Sequence, residues 1–213
     1  MNLRKWLRTA AYLVVVIGYC SAKAGAYEDF FDAAKRDDAV AVSALMQRGF
    51  DPNSRSPEGQ VALFLALRAP APKVAAALLA HPQIDVNATN GEGETPLMMA
   101  ALKGNLTVAQ RLVALGARPH KDAWSPLHYA ATGPEPKIVE LLLDKGAPVN
   151  ALSPNASTPL MMASRYGNEA SVQLLLRAGA NPKLRNQRDL TAADFAHLAG
   201  REALAQRLQQ LAR

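Results

Sequence analysis

The residues best suited to chemistry in this chain are few and scattered. His81, His120, His128 and His197 are its histidines. A helical zinc site needs two ligands four residues apart and further donors to complete the shell; no pair here has that spacing or a cysteine to join it. Ser125 has no base at motif spacing, and as the first residue of a helix its hydroxyl is already engaged in capping, so a nucleophile is not indicated. His120, beside Lys121 and Asp122, reads as a surface group. The glycines are dispersed rather than gathered in a G-x-G-x-x-G loop, which leaves nucleotide phosphates without a cradle. Met98-Met99 and Met161-Met162 suggest copper or redox chemistry, but methionine also fills cores: the first of each pair is expected inside and the second near an inner surface. Asn87, Asn105 and Asn155 match the N-glycosylation pattern, although Asn105 also sits where a helix cap is needed. Catalytic, cofactor and metal sites are therefore all expected to be none.

What the chain does have is repetition. Thr158-Pro159-Leu160-Met161-Met162-Ala163 leads through Gly167-Asn168 to Gly179-Ala180; Thr95-Pro96-Leu97-Met98-Met99-Ala100 leads through Gly104-Asn105 to Gly116-Ala117. Ser125-Pro126-Leu127-His128-Tyr129-Ala130 leads to Gly146-Ala147 in the same register. The positions 125, 158 and 191 are 33 residues apart, a period that marks a stacked array. Each unit is readable as two helices. Thr or Ser caps the first and Pro follows where no donor is needed. Gly104 and Gly167 can take a positive φ that ends it, and Asn105 or Asn168 caps the second. That second helix carries one apolar stripe, as at Ile138, Val139, Leu142 and Leu143. One such pair cannot bury its own apolar face, so neighbours must stack.

These motifs, above all Ser125 to Ala130 against T-P-L-H-x-A, resemble the ankyrin repeat over residues 27–213. The resemblance implies an all-α ankyrin-repeat solenoid of about six helix-turn-helix units including two caps, joined by short β-hairpin-like turns. Units start near 28, 61, 95, 125, 158 and 191. The first is divergent, with Asp37-Asp38 in place of Gly104-Asn105 and exposed acids suited to an end repeat. The second lacks Thr-Pro, has Pro70 at the usual Gly position, and has a loop one residue longer. The turn after Gly116-Ala117 is three residues short, so a shortened finger is expected there. The helix from Arg201 to Leu211 reads as the C-terminal cap, with Arg201, Gln206, Arg207, Gln209 and Gln210 on a wet outer face. By the same resemblance, His128 should bond locally to backbone.

Residues 1–26 are different in kind. Arg4, Lys5 and Arg8 precede an apolar run from Ala10 to Cys20, and Ala22-Lys23-Ala24-Gly25-Ala26 supplies small residues two apart. That is the three-part layout of a signal peptide, cut after Ala26 or alternatively Ala24. The run is too short to span a bilayer, which takes roughly 20 residues, and Ile17-Gly18-Tyr19 before Cys20 does not suit a lipoprotein. Without the leader, 20 Lys and Arg face 18 Asp and Glu, and no cysteine is left. The basic balance belongs to the leader, so a nucleic-acid partner is not indicated.

Together these readings imply an exported, monomeric binding module in the periplasm of a Gram-negative bacterium, with no catalysis of its own, no cofactor and no stable membrane insertion. Its partner is another protein. Alternatives are an inhibitor or immunity-type protein for a co-encoded enzyme, and a metal-binding or enzymatic protein. The resemblance places ligand contacts on a concave face of turn tips and first helices. In this chain those positions are Arg68, Glu94, Leu102, Lys103, Trp124, Asn155, Ser157, Arg165, Tyr166 and Arg188, with Trp124, Arg165 and Tyr166 as the expected hot spot. Trp124 has a second expectation, packing over the short turn onto Pro119 or Tyr129.

Overall fold

The computed structural model describes residues 25–213; the leader reading lies outside the described residues but for Gly25 and Ala26, which open the first helix. Six helix pairs follow one another: α1 (residues 25–35) and α2 (Ala39–Gln47), α3 (Ala62–Arg68) and α4 (Pro72–Leu79), α5 (Pro96–Leu102) and α6 (Leu106–Ala114), α7 (Pro126–Thr132) and α8 (Pro136–Asp144), α9 (Pro159–Tyr166) and α10 (Glu169–Arg177), α11 (Ala192–Leu198) and α12 (Glu202–Leu211). The odd-numbered helices stack on one another from α3 to α11, and the even-numbered ones form a second layer behind them. Between the layers lies one continuous core, including Phe30, Phe64, Leu97, Leu112, Leu142 and Met161.

Local chemistry starts most of these helices. Thr95 Oγ1 accepts from Met98 N and Thr158 Oγ1 from Met161 N, both at 3.3 Å, while Asn105 and Asn168 cap α6 and α10 from Val108 N and Ser171 N. In α5, α7, α9 and α11 the residue three places into the helix completes a capping box with an unusual range of acceptors. Met98 Sδ and Met161 Sδ accept the N-cap N–H at 3.3 Å, Asp194 Oδ2 at 2.7 Å and His128 Nδ1 at 3.2 Å. Met98 and Met161 are buried as expected; Met99 is buried too, whereas Met162 reaches the edge of the core.

The turns need two corrections. Gly104 does take a positive φ of +69°, but Gly167 has a φ of −87°. A Cβ on Gly167 would lie 2.1 Å from the Ala131 carbonyl oxygen of the preceding repeat, so it is glycine because two backbones touch. Arg201 is not on a wet face. Its Nη1 donates to the carbonyls of Ala163, Ser164 and Gly167 at 3.0 Å each, satisfying the end of α9 from one repeat away. The N-cap position of α12 is Arg201 itself, and the helix begins at Glu202.

The fingers are held by asparagines. Asn53, Asn87 and Asn150 each accept from a backbone N–H of the next finger, Asp85, Arg118 and Asn181, at 2.8–2.9 Å. The tip bond from N–H to the carbonyl four residues on is made at Ser56, Asn90, Ser153 and Asn186. The finger between α6 and α7 is the short one, with eight residues from Ala117 to Trp124. Its last turn still follows the others: the residue two before each N-cap has a positive φ, at Gly59, Gly93, Ala123, Ala156 and Asp189.

Candidate functional site

The first-helix face presents two columns of side chains. The fourth residue after each N-cap position gives Leu65, Met99, Tyr129, Met162 and Phe195, a mostly apolar stripe; the seventh gives Arg68, Leu102, Thr132, Arg165 and Leu198. Their spacing of three places both columns on one side of each helix.

In the middle of this face Leu102, Trp124, His128, Tyr129, Thr132 and Met162 line a cavity of about 190 Å³. It spans three repeats. Trp124 lies half-buried with its ring edge-on to His128, the centroids 5.3 Å apart. His128 is the fixed point beneath it: Nδ1 accepts from Ser125 N–H, and Nε2–H donates to Ser157 O of the next repeat at 3.0 Å. Burial holds its pKa below the ordinary histidine value, against the opposing pull of the Ser157 carbonyl. The expected local bonding is therefore present, and a bond between repeats is added to it.

Ser125 does have a base within reach, contrary to the sequence reading, since its hydroxyl lies 2.8 Å from His128 Nδ1. Both side chains are only 1% exposed. A substrate carbonyl cannot approach the hydroxyl, and the pair serves packing.

Tyr129 forms the other wall. Its hydroxyl donates to Glu94 Oε1 at 2.5 Å, and Asn90 Nδ2 donates to Glu94 Oε2 at 2.8 Å. Burial, the bond to Glu94 and the charges of Glu94 and Glu92 push the phenol far above its usual pKa. Glu94 is thus occupied in fixing Tyr129 rather than free at a tip.

The remaining expected contacts divide. Tyr166 is 57% exposed with the Arg165 guanidinium 5.2 Å from its ring centre. These two lie one turn beyond Met162 on α9, on the cavity side. Asn155 and Arg188 are exposed on fingers, with Asn155 Oδ1 receiving the Ser153 hydroxyl. Ser157 requires correction: it is 1% exposed and its hydroxyl accepts from Asn186 Nδ2, because the residue before the N-cap folds back under the finger. Arg68 and Lys103 line a different, larger groove between α4 and α6.

Tyr129, Thr132, Met162 and Leu198 were not among the expected contacts. The 33-residue register would have found Leu198, the partner of Leu102 in its column and 54% exposed. Among the described residues no group of three His, Cys, Asp or Glu side chains is placed to hold a metal, and no helix is long and apolar enough to cross a membrane.

A family model of ankyrin repeats in three copies matches residues 30–123 and 118–186. Curated relatives include mouse NF-kappa-B inhibitor delta, 31% identical over 188 residues, covering 72% of this chain and 57% of that protein. The mouse B-cell lymphoma 3 protein homolog is 33% identical, over 68% of this chain and 34% of its own length. Human transient receptor potential cation channel subfamily A member 1 is 28% identical over 70% of this chain, which spans 14% of that protein. A solved chain from the complex of a predatory endopeptidase of Bdellovibrio bacteriovorus with an immunity protein superposes with a TM-score of 0.72. The match is at 26% identity, over 85% of this chain and 97% of that one.

Proposed function

The chain belongs to the ankyrin-repeat family, and on that premise we propose that it is a binding module for another protein, exported to the periplasm as a monomer and without catalysis of its own. The observation that carries the reading is the cavity under Trp124 and Tyr129, open on the first-helix face and continued by Arg165 and Tyr166. Trp, Tyr and Arg are the residue types that dominate binding energy at protein interfaces. A partner side chain of apolar character fits the cavity. Arg165, one turn beyond Met162 of the cavity wall, favours an acidic group on the partner.

The test begins with the partner recovered by tagged pull-down from the periplasm and then purified. Truncation of Trp124, Arg165 or Tyr166 to Ala should each weaken binding by about 2 kcal/mol or more with the melting curve unchanged. Equal affinity in all three variants would place the interface elsewhere. Export is checked separately by intact mass, which should begin at Tyr27.

One observation favours a narrower second reading. The similar solved chain comes from a complex of an endopeptidase with an immunity protein. On that reading the partner is an enzyme encoded beside this chain, and binding blocks it. Undiminished turnover with the complex fully formed would reject the inhibitory role while leaving the binding role intact.

A further inference from the structure

A groove larger than the cavity under Trp124 opens elsewhere on the molecule. It lies between α4 and α6, has a volume of about 640 Å³, and has an apolar floor that includes Ala71, Ala75, Leu79, Ala100 and Val108. Its origin is in the sequence. Three residues after Ile138 in α8 and Ser171 in α10 stand Leu141 and Leu174, both packed against the core. The matching residue in α6 is Arg111, and the α4 residues that line the groove with it include the small Ala75 and Ala76. Small residues on one helix and a charged one on the other leave unfilled the space that leucines fill further along. The backbones of α4 and α6 approach each other less closely than those of α8 and α10.

The rim is charged with one sign. Arg68, Lys103 and Arg111 line the groove, no Asp or Glu does, and none of the three is in an ion pair among the described residues. We propose that this groove is a second docking site, which takes an acidic amphipathic helix of a partner protein. The helix would set its apolar side chains where leucines sit in the other repeats and its carboxylates against Arg68, Lys103 and Arg111. The chain's own apolar stretch from Ala10 to Cys20 is a poor occupant, because Arg4, Lys5, Arg8 and Lys23 flank it and the rim would repel them.

The experiment uses the full chain and a synthetic helical peptide with one leucine stripe and glutamates on its flanks, followed by fluorescence anisotropy. A peptide with lysines in place of the glutamates, laurate as a non-peptide anionic amphiphile, and the oligomeric state of the protein alone complete the set. The Glu-flanked peptide should bind, weaken with salt, and lose about tenfold or more of its affinity in Ala76→Leu, which fills the groove from an exposed position. Arg111→Glu should weaken the Glu-flanked peptide and strengthen the Lys-flanked one, whereas Trp124→Ala should change neither. That last control separates this site from the first-helix face. Several results would overturn the proposal: no binding of the Glu-flanked peptide, equal binding of both peptides, or affinity untouched by Ala76→Leu and Arg111→Glu. Laurate binding in place of the peptide, or a dimer abolished by Ala76→Leu, would assign the groove to another occupant and likewise overturn it.

Discussion

The junction between the α7–α8 pair and the α9–α10 pair is closed in both layers, while that between α3–α4 and α5–α6 closes only in the first. At the closed junction His128 bonds to Ser157 O, Asn168 Nδ2 donates to Pro134 O at 3.1 Å, Gly167 lies against the Ala131 carbonyl, and Leu141 and Leu174 fill the second layer. At the open junction the fingers are still joined, with Arg55 Nη1 donating to Thr89 O at 2.6 Å, but Ala75, Ala76 and Arg111 line a groove between the second helices. One period therefore supports two kinds of interface. The stability of a stacked array is close to a sum of repeat and nearest-neighbour terms, so a weak junction is tolerated when its neighbours are tight. That latitude is where a groove can be placed without breaking the fold.

The largest effect expected from this contrast is at Leu142, wholly buried in α8 at the closed junction. Leu142→Ala removes core methyl groups and leaves a cavity that rigid neighbours cannot collapse, a loss of about 2–5 kcal/mol in denaturant melts. Leu211→Ala, at a position 53% exposed near the end of α12, should cost far less. Equal losses at the two positions would show that burial does not rank the repeats.

Next in size is Gly167→Ala. The new methyl would meet the Ala131 carbonyl oxygen, and the junction must open to admit it, at a cost of about 1–3 kcal/mol. A loss with a lowered denaturant slope would mean that the outer repeats melt separately from the inner ones. A neutral result would show the closed junction to be as pliable as the open one.

The pairing of helices was legible in the sequence because caps act over three residues. Thr95, Asn105, Thr158, Asn168 and Thr191 each reach a backbone N–H in their own first turn. Bonds between repeats were not legible in this way, since they join residues about thirty apart. Asp37 Oδ1 accepts from Val74 N of the next repeat, and Arg201 reaches back to α9. Gly167 shows the limit well: a local rule gives it a positive φ, and the actual reason is a neighbour's carbonyl. On the candidate face, Trp124 and Tyr166 could be read from residue type and register. Ser157 could not, because its burial depends on how the finger folds back.

The smallest predicted effect isolates His128, the bond that distinguishes the closed junction chemically. Met98 and Met161 occupy the same place in their repeats and accept the N-cap N–H through sulfur, so His128→Met keeps the cap and removes the bond to Ser157 O together with that between the Ser125 hydroxyl and Nδ1. That carbonyl still receives Ser153 N–H at 3.0 Å. It is not orphaned, and the loss at pH 7.5 should be about 1 kcal/mol. The pH dependence is the sharper readout. Burial lowers the folded pKa of His128 below the unfolded value of about 6.5, so below that pH the unfolded chain takes up a proton that the folded one resists. The stabilisation is complete above pH 6.5 and declines as the pH falls from there toward the folded pKa. His197 runs the other way, its pKa raised by Glu202, and its contribution is complete below pH 6.5 and lost as the pH rises through the folded value. Melts in a His197→Gln background between pH 7.5 and 5 should therefore show a falling curve with His128 and a flatter one with Met at 128, the two converging at the acid end. Parallel curves would mean that His128 titrates freely, and then the closed junction owes nothing to a neutral imidazole.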